Sequence, residues 1–296
     1  MFDSRISGDS QVSVIEAPKT AIDYDECRYG RSRMRFRGPK RSLKGDYVAA
    51  VGGSQTFGKF VSVPFVDALE AQIHMPVVNL GAMQAGLTLI ADDPDILSIA
   101  SGARVSIVQV LGAQNMSNRY YSVHPRRNDR FLEASPALKQ LFPQMDFTEF
   151  HFVGHLVGAL ANVGGEPFDK VVRELRAAWV NRMRLILRSI DGKTILLWMA
   201  DRRADDAFDL TNPLDPHFVN RAMLDDVASH AGHVVEAVSE TTAQFEGLAG
   251  KEFLPHEAEA AAAMPGPLFH SQVATRLAER LGRIHKKNAP ENPARS

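Results

Sequence analysis

The chain has 296 residues, of which 45% are hydrophobic and 23% are charged, and its formal net charge is −1. This length is enough to bury a core without disulfides or metals, and the neutral balance excludes bulk electrostatic binding to nucleic acid or to an anionic membrane. The single cysteine, Cys27, excludes an internal disulfide and is typical of a reducing compartment, so we expect a cytoplasmic protein.

Both ends of the chain are polar. The first residues carry an acid and no apolar segment, so no secretory signal is expected, and no run approaches the roughly 18 apolar residues of a membrane span. Residues 1–45 are expected to form an N-terminal arm. Its basic stretch from Arg28 to Lys44 is either solvated or packed over an anionic ligand or a partner subunit. Residues 286–296 are expected to be a disordered tail.

Between the ends, apolar runs that stop at a glycine alternate with amphipathic segments. The predicted strands are 47–51, 76–80, 105–111, 193–200 and 233–238. The predicted helices are 60–73, 95–100, 168–189, 217–230 and 271–285. This alternation predicts an α/β fold, a three-layer doubly wound parallel sheet of flavodoxin-like type, in one domain over 46–285. Residues 113–168 interrupt this alternation of strands and helices and are expected to be an insertion with one helix near 148–162.

The clearest candidate site is the turn VGGSQTFG, residues 51–58, after the first strand. In an open parallel sheet, ligands bind beyond the carboxyl ends of the strands, where the turns at Gly81–Gly86 and Gly112–Asn118 should also lie. Ser54 follows two glycines and precedes a helix, so three roles stay open. It could be a nucleophile that faces an oxyanion, part of a phosphate or sulfate site, or a helix cap.

Four segments occur in an order that is typical of one superfamily. They are Gly52–Ser54 after the first strand, Asn79–Gly86 after the second, Gly112–Asn115 after the third, and His270 before the closing helix. In this order they resemble the SGNH/GDSL hydrolases, an α/β superfamily. The chain also resembles a bacterial family of unknown function.

The resemblance implies roles for particular residues. Ser54 would be the nucleophile and His270 its base, and Asn115 with the N–H groups of Ser54 and Gln84 would hold the oxyanion. Gln114 is a rival of Asn115, because Asn115 lies one residue later than the usual spacing.

Besides the shifted Asn115, the chain departs from the superfamily pattern at three positions, of which one is Gln84, where the family often has a glycine. Gly53 stands where an acid usually precedes the serine, and Pro267 stands where the triad acid is expected. The histidine would then be oriented by a backbone carbonyl or by another carboxylate such as Glu252, Glu257 or Asp201.

The run from Ser117 to Arg130 adds four arginines and two tyrosines beside the third turn. Arginine forks suit phosphate, sulfate or carboxylate groups, although a solvated or salt-bridged loop would have the same composition. The candidate substrate-binding residues are Gly53, Gln55, Thr56, Gly86, Gln114, Asn118, Arg119, Tyr120, His124, Arg126 and Arg127.

Three functions remain open. The first is a serine esterase or acyltransferase that acts on an acylated carbohydrate, lipid or small molecule and needs no cofactor. The second is a transferase, similar to sulfotransferases, that binds an anionic donor such as CoA or a sulfonucleotide at the Ser54 turn and the Arg119–Arg130 cluster. The third is a binding protein without catalysis. We expect an anionic small-molecule substrate and no nucleic-acid partner, and a homo-oligomer stays open.

No metal site is expected. His151 and His155 have the i, i+4 spacing of two ligands on one helix face, but the glutamate of zinc proteases is missing. The loop that contains Asp205, Asp206, Asp209 and Asp215 lacks the order of a calcium-binding loop and is better explained as solvated.

Overall fold

The computed structural model describes residues 22–212, 216–239 and 246–288 of the chain. The first part of the predicted arm, most of the predicted tail and Asp215 lie outside these ranges. The described strands are β1 (Val48–Gly52), β2 (Val77–Gly81), β3 (Val105–Gln109), β4 (Tyr121–His124), β5 (Arg127–Ala134), β6 (Lys193–Ala200) and β7 (His233–Val238).

The described α-helices follow in the same order. They are α1 (Ser54–Phe57), α2 (Phe65–Ile73), α3 (Leu87–Asp92), α4 (Pro94–Gly102), α5 (Pro136–Leu141), α6 (Val153–Val163), α7 (Gly165–Arg188), α8 (Arg221–Ala228), α9 (Ala258–Ala262) and α10 (Pro267–Asn288).

Five strands form one parallel sheet in the order β2-β1-β3-β6-β7. Alternate residues of each strand enter two separate cores: in β1, Ala49 packs on one face, and Val48 and Ala50 pack on the other. Helices α2 and α10 cover the second face, while α7 packs in the larger core of the first. The predicted doubly wound parallel sheet is therefore confirmed. Strands that are buried on both faces appear in a sequence as continuous apolar runs, which is why the pattern predicted them.

The insertion differs most from the sequence expectation. Besides a helix at Val153–Val163, it contains an antiparallel hairpin of β4 and β5, which the sequence reading did not predict. The hairpin strands carry charged and polar residues at many positions, and the pairing has register irregularities, so their alternation is weak. The helix predicted from residue 60 begins at Phe65, because Pro64 occupies its N-cap.

The described part of the arm packs against the sheet domain. Tyr29 and Phe36 are buried, and the Arg37 guanidinium donates hydrogen bonds of 2.7–2.9 Å to the carbonyl oxygens of Gly58, Val61 and Ser62. Arg37 thus fixes the loop between α1 and α2. The expectation of a wholly solvated arm is wrong for this segment, because its aromatic side chains are part of the hydrophobic core.

Trp179 links the long helix α7 to the turn after β3. It is fully buried, and its indole N–H donates a 2.8 Å hydrogen bond to the carbonyl of Leu111. We expect Trp179→Phe to lower the free energy of unfolding by about 1–3 kcal/mol, because the partly buried carbonyl of Leu111 loses its donor and the smaller ring fills less of the core. Urea denaturation measures the change, and Trp198→Phe offers a comparison, since its N–H bonds the carbonyl of Arg202 away from this turn.

Within the described part of the chain, no helix has both the length and the apolar character that a membrane span requires.

Candidate functional site

A crevice of about 220 Å³ opens at the carboxyl ends of β1 and β3. In this strand order the chain reverses direction across the sheet between β1 and β3, which is where flavodoxin-like folds bind their ligands. The polar residues that line the crevice are Ser54, Gln55, Gln84, Gln109, Gln114, Asn115 and Asp129. All three turns that the sequence predicted to converge contribute to it.

Ser54 is held by the second turn. Its Oγ accepts a 2.9 Å hydrogen bond from the backbone N–H of Gln84. Gln84 has a φ of +58°, a left-handed conformation that is uncommon for a residue with a side chain. Its carbonyl in turn accepts a 3.0 Å bond from the N–H of Asn128. The backbone N–H of Gln84 therefore lies at the serine oxygen.

The side chain of Gln109 holds the turn that carries Ser54 by hydrogen bonds. It ends β3, is 1% exposed, and its Oε1 accepts bonds from Gly53 N–H at 3.1 Å and from Thr56 Oγ1 at 2.7 Å. Its Nε2 is hydrogen-bonded to Gln55 Oε1. The sequence reading did not single out this residue, although a glutamine inside an apolar strand was a signal that a buried polar partner existed.

Asn128 fixes the second turn. It is fully buried, its Oδ1 accepts bonds of 2.9 Å and 3.0 Å from the N–H groups of Gly86 and Leu89, and its Nδ2 donates to His124 O at 3.0 Å. Sequence reasoning missed Asn128, because the hairpin that carries it was not predicted. It connects the insertion to the crevice.

Gly86 and Asn115 lie against each other where the second and third turns meet. A Cβ at Gly86 would stand 1.8 Å from the carbonyl oxygen of Asn115, so this position requires glycine. This close approach brings Asn115 to the same crevice as Ser54.

Gln114 is oriented by a histidine that the sequence reading did not assign to the site. Its Nε2 lies 2.9 Å from His217 Nδ1, and His217 Nε2 lies 2.8 Å from the carbonyl of Asn212. Because a carbonyl only accepts, His217 carries its proton on Nε2 and Nδ1 accepts from the glutamine. The Oε1 of Gln114 is then buried with no hydrogen-bond partner among the described residues.

Asp129 is the ionisable side chain of the crevice lining. Its Oδ1 is buried and has no hydrogen-bond partner in the described part of the chain, while its Oδ2 lies 3.7 Å from Arg127 Nη2. Loss of solvent raises the pKa of this carboxyl above its ordinary value, and the nearby Arg127 partly opposes the shift.

His270 lies outside the crevice lining. It is fully buried in the first turns of α10, stacks on the ring of Phe65, and its Nδ1 accepts a 3.0 Å bond from Phe65 N–H. Burial lowers its pKa to about 3, and the positive charges of Arg37 and Lys251 add to the shift. The described contacts of His270 and Ser54 do not include each other.

The arginine-rich run does not converge on Ser54. Arg119 is exposed beside α7, where its backbone N–H donates a hydrogen bond to the carboxylate of Glu174. Arg126 lies with His124 in a separate cleft against the arm. Asn118 caps its own turn by accepting bonds from the N–H groups of Tyr120 and Tyr121. In addition, α1 is a single turn, so few aligned peptide dipoles add to the positive potential at its N-terminus, where an anion would bind.

No cluster of three or more histidine, cysteine or acidic side chains that could hold a metal occurs within residues 22–212, 216–239 and 246–288. Of the histidine pair considered above, His155 packs against the ring of Phe150 at 4.9 Å. Asp205 instead pairs with Arg221.

The fold and crevice define a doubly wound α/β protein with a polar site at the β1–β3 switch point. The chain belongs to the family described as a domain of unknown function, DUF6473, which matches residues 13–285. A comparison with curated proteins finds no match.

The chain is similar to solved structures described as lipases or as an alpha/beta hydrolase. A lipase/acylhydrolase from Enterococcus faecalis is 13% identical and aligns over 81% of this chain and 97% of its own, with a TM-score of 0.41. A lipase from a goat rumen metagenome is 12% identical over 79% of this chain and 97% of its own, with a TM-score of 0.38. An alpha/beta hydrolase enzyme from the metagenome of Lake Arreo, Spain, is 15% identical over 80% and 95%, with a TM-score of 0.40.

Proposed function

We propose that the protein is an acyl-handling enzyme of esterase or acyltransferase type, which works on a small uncharged molecule at the Ser54 crevice. The observation that supports this most is the 2.9 Å bond from Gln84 N–H to Ser54 Oγ. An ester carbonyl that approaches this serine would bring its oxygen close to the same main-chain donor. Preorganised donors of this kind stabilise the charge that develops in acyl transfer.

The charge of the crevice favours an uncharged substrate. Its lining contains amide side chains and Asp129 but, among the described residues, neither lysine nor arginine. A phosphorylated or sulfated donor would meet a carboxylate there, while Arg127, whose Nη2 lies 3.7 Å from Asp129 Oδ2, is not part of the lining. This argues against CoA or a sulfonucleotide as the donor at Ser54, and against the anionic substrate expected from the sequence.

A second candidate function is ligand binding without bond cleavage, and the position of His270 favours it. A serine hydroxyl is a weak nucleophile unless a base activates it. The ring of His270 is fully buried against Phe65 and its Nδ1 is already engaged there. If no other group takes the proton of Ser54, the crevice would bind its ligand and leave it unchanged.

Covalent labelling separates the two candidates. We expect a fluorophosphonate probe to label the wild type at Ser54 and p-nitrophenyl acetate to be hydrolysed, with both activities reduced to background in Ser54→Ala. Ser98→Ala, which changes an exposed serine of α4, is the matched control and should behave as the wild type. Tandem mass spectrometry locates the adduct.

The variant His270→Asn tests the base in the same assay. Since asparagine can still accept the Phe65 N–H, labelling should persist if His270 acts only in the core. A correctly folded wild type that neither reacts with the probe nor turns over esters would contradict the enzymatic proposal and leave ligand binding.

A further inference from the structure

Two buried acceptor atoms belong to residues that line the same crevice. Gln114 Oε1 and Asp129 Oδ1 each have no hydrogen-bond partner among the described residues, and both residues line the cavity that contains Ser54. A buried acceptor without a donor is unfavourable, and such groups in a folded protein are rare enough to require an explanation.

The surrounding structure positions both residues. The side-chain amide of Gln114 is fixed through its Nε2 by His217, and the backbone carbonyl of Gln114 accepts a 2.7 Å bond from the hydroxyl of the fully buried Tyr121. Asp129 follows Asn128, whose backbone and side chain are bonded to the second turn. Acceptors that are positioned before a ligand arrives lose little freedom when they bind it.

The chemistry of the lining selects among possible ligands. The two free acceptors require donor groups on the ligand, while the Ser54 hydroxyl, whose Oγ accepts from Gln84 N–H, offers its O–H as a donor in return. Hydroxyl groups both donate and accept, so they match such a mixture. A cation is less suited, because Arg127 already lies 3.7 Å from the carboxylate of Asp129.

We infer that the crevice recognises an uncharged, hydroxyl-rich molecule, a sugar or a polyol, whose hydroxyls donate to Gln114 Oε1 and Asp129 Oδ1. The cavity of about 220 Å³ is smaller than the roughly 300–1,000 Å³ of sites for drug-sized ligands, so one ring or one polyol unit enters it. This inference deepens the proposed function by naming the ligand class, and it rests on that function only for the location of the site.

The test measures binding of a defined panel to the full chain. Isothermal titration calorimetry and thermal shift are carried out with glucose, N-acetylglucosamine and myo-inositol, with CoA and adenosine 3′,5′-bisphosphate, and with choline. We expect at least one sugar or polyol to bind and to raise the Tm, and the phosphorylated compounds and choline not to bind at the crevice.

The variant Asp129→Asn identifies the acceptor. Its amide oxygen should turn toward Arg127, so that a donor replaces the acceptor in the crevice, and sugar binding should weaken about 10- to 150-fold. Asp169→Asn, at an exposed position of α7, should bind as the wild type does.

A stability measurement shows that the variant is folded. Because burial raises the pKa of Asp129, its ionised form opposes folding at neutral pH, so the ligand-free Asp129→Asn protein should have a higher Tm than the wild type at pH 7. The difference should vanish as the pH falls below the ordinary carboxyl pKa, where the side chain is protonated in both states.

Three results would overturn the inference: no binding of any sugar or polyol, binding that Asp129→Asn leaves unchanged, or binding of the phosphorylated compounds or choline alone. The outcome is separable from that of the proposed function. Asp129-dependent sugar binding by a protein whose Ser54 never reacts with fluorophosphonate supports the ligand class and contradicts the enzyme. Labelled Ser54 without sugar binding does the reverse.

Discussion

Acidification from pH 7.5 to pH 4.5 should remove about 2–3 kcal/mol of the free energy of unfolding through His270 alone. The pKa of this buried histidine is lowered from 6.5 to about 3, so the unfolded chain takes up a proton that the folded protein refuses. The stabilising contribution is complete above pH 6.5 and is lost as the pH falls from 6.5 toward 3. Urea denaturation at a series of pH values measures it.

The variant His270→Asn isolates this effect. Asparagine keeps an acceptor for Phe65 N–H but does not titrate, so the part of the slope that comes from His270 should disappear between pH 6.5 and 4.5. The smaller side chain should also lower stability at every pH, which is why the slopes and not the absolute values are compared. Identical slopes in the two proteins would mean that the imidazole is accessible to protons, and would restore His270 as a candidate base.

Asn128→Ala should lower the free energy of unfolding by about 3–5 kcal/mol. The substitution deprives the N–H groups of Gly86 and Leu89 of their acceptor and the carbonyl of His124 of its donor, all beside a fully buried side chain. Chemical denaturation at pH 7 gives the change.

A consequence at the site should accompany this loss of stability. Because the turn that carries Gln84 is no longer held, the variant should also label more slowly at Ser54. Asn162→Ala, at an exposed position of α6, is the control and should be neutral or slightly stabilising, since alanine favours the helix. A loss below about 1 kcal/mol in Asn128→Ala would show that the hairpin does not support the second turn.

The sheet could be predicted because its strands are buried on both sides. Each becomes an apolar run that ends near a glycine or in a polar turn, and the strand positions agree with the structure to within two residues. Parallel strands place their carboxyl ends on one edge, so the meeting of Ser54, Gln84 and Asn115 at one crevice also followed from the sequence.

The insertion could not be predicted in the same way. Its hairpin has an irregular register and many exposed residues, so neither a period of two nor an apolar run marks it. Asn128 and Asp129 reach the crevice only because this hairpin folds back on the second turn. The arginines of the same segment point to several surfaces, since spacing along a hairpin does not determine which side chains converge.

The sequence by itself determined the sheet, the order of its glycine turns and the edge at which they meet, because these depend on patterns of burial within each segment. The tertiary structure alone decided which partners surround Ser54. Whether His270 faces the serine or Phe65 depends on how α10 packs against α2, and whether a carboxylate enters the crevice depends on where β5 lies. Both are contacts between segments far apart in the chain, so local patterns carry no information about them.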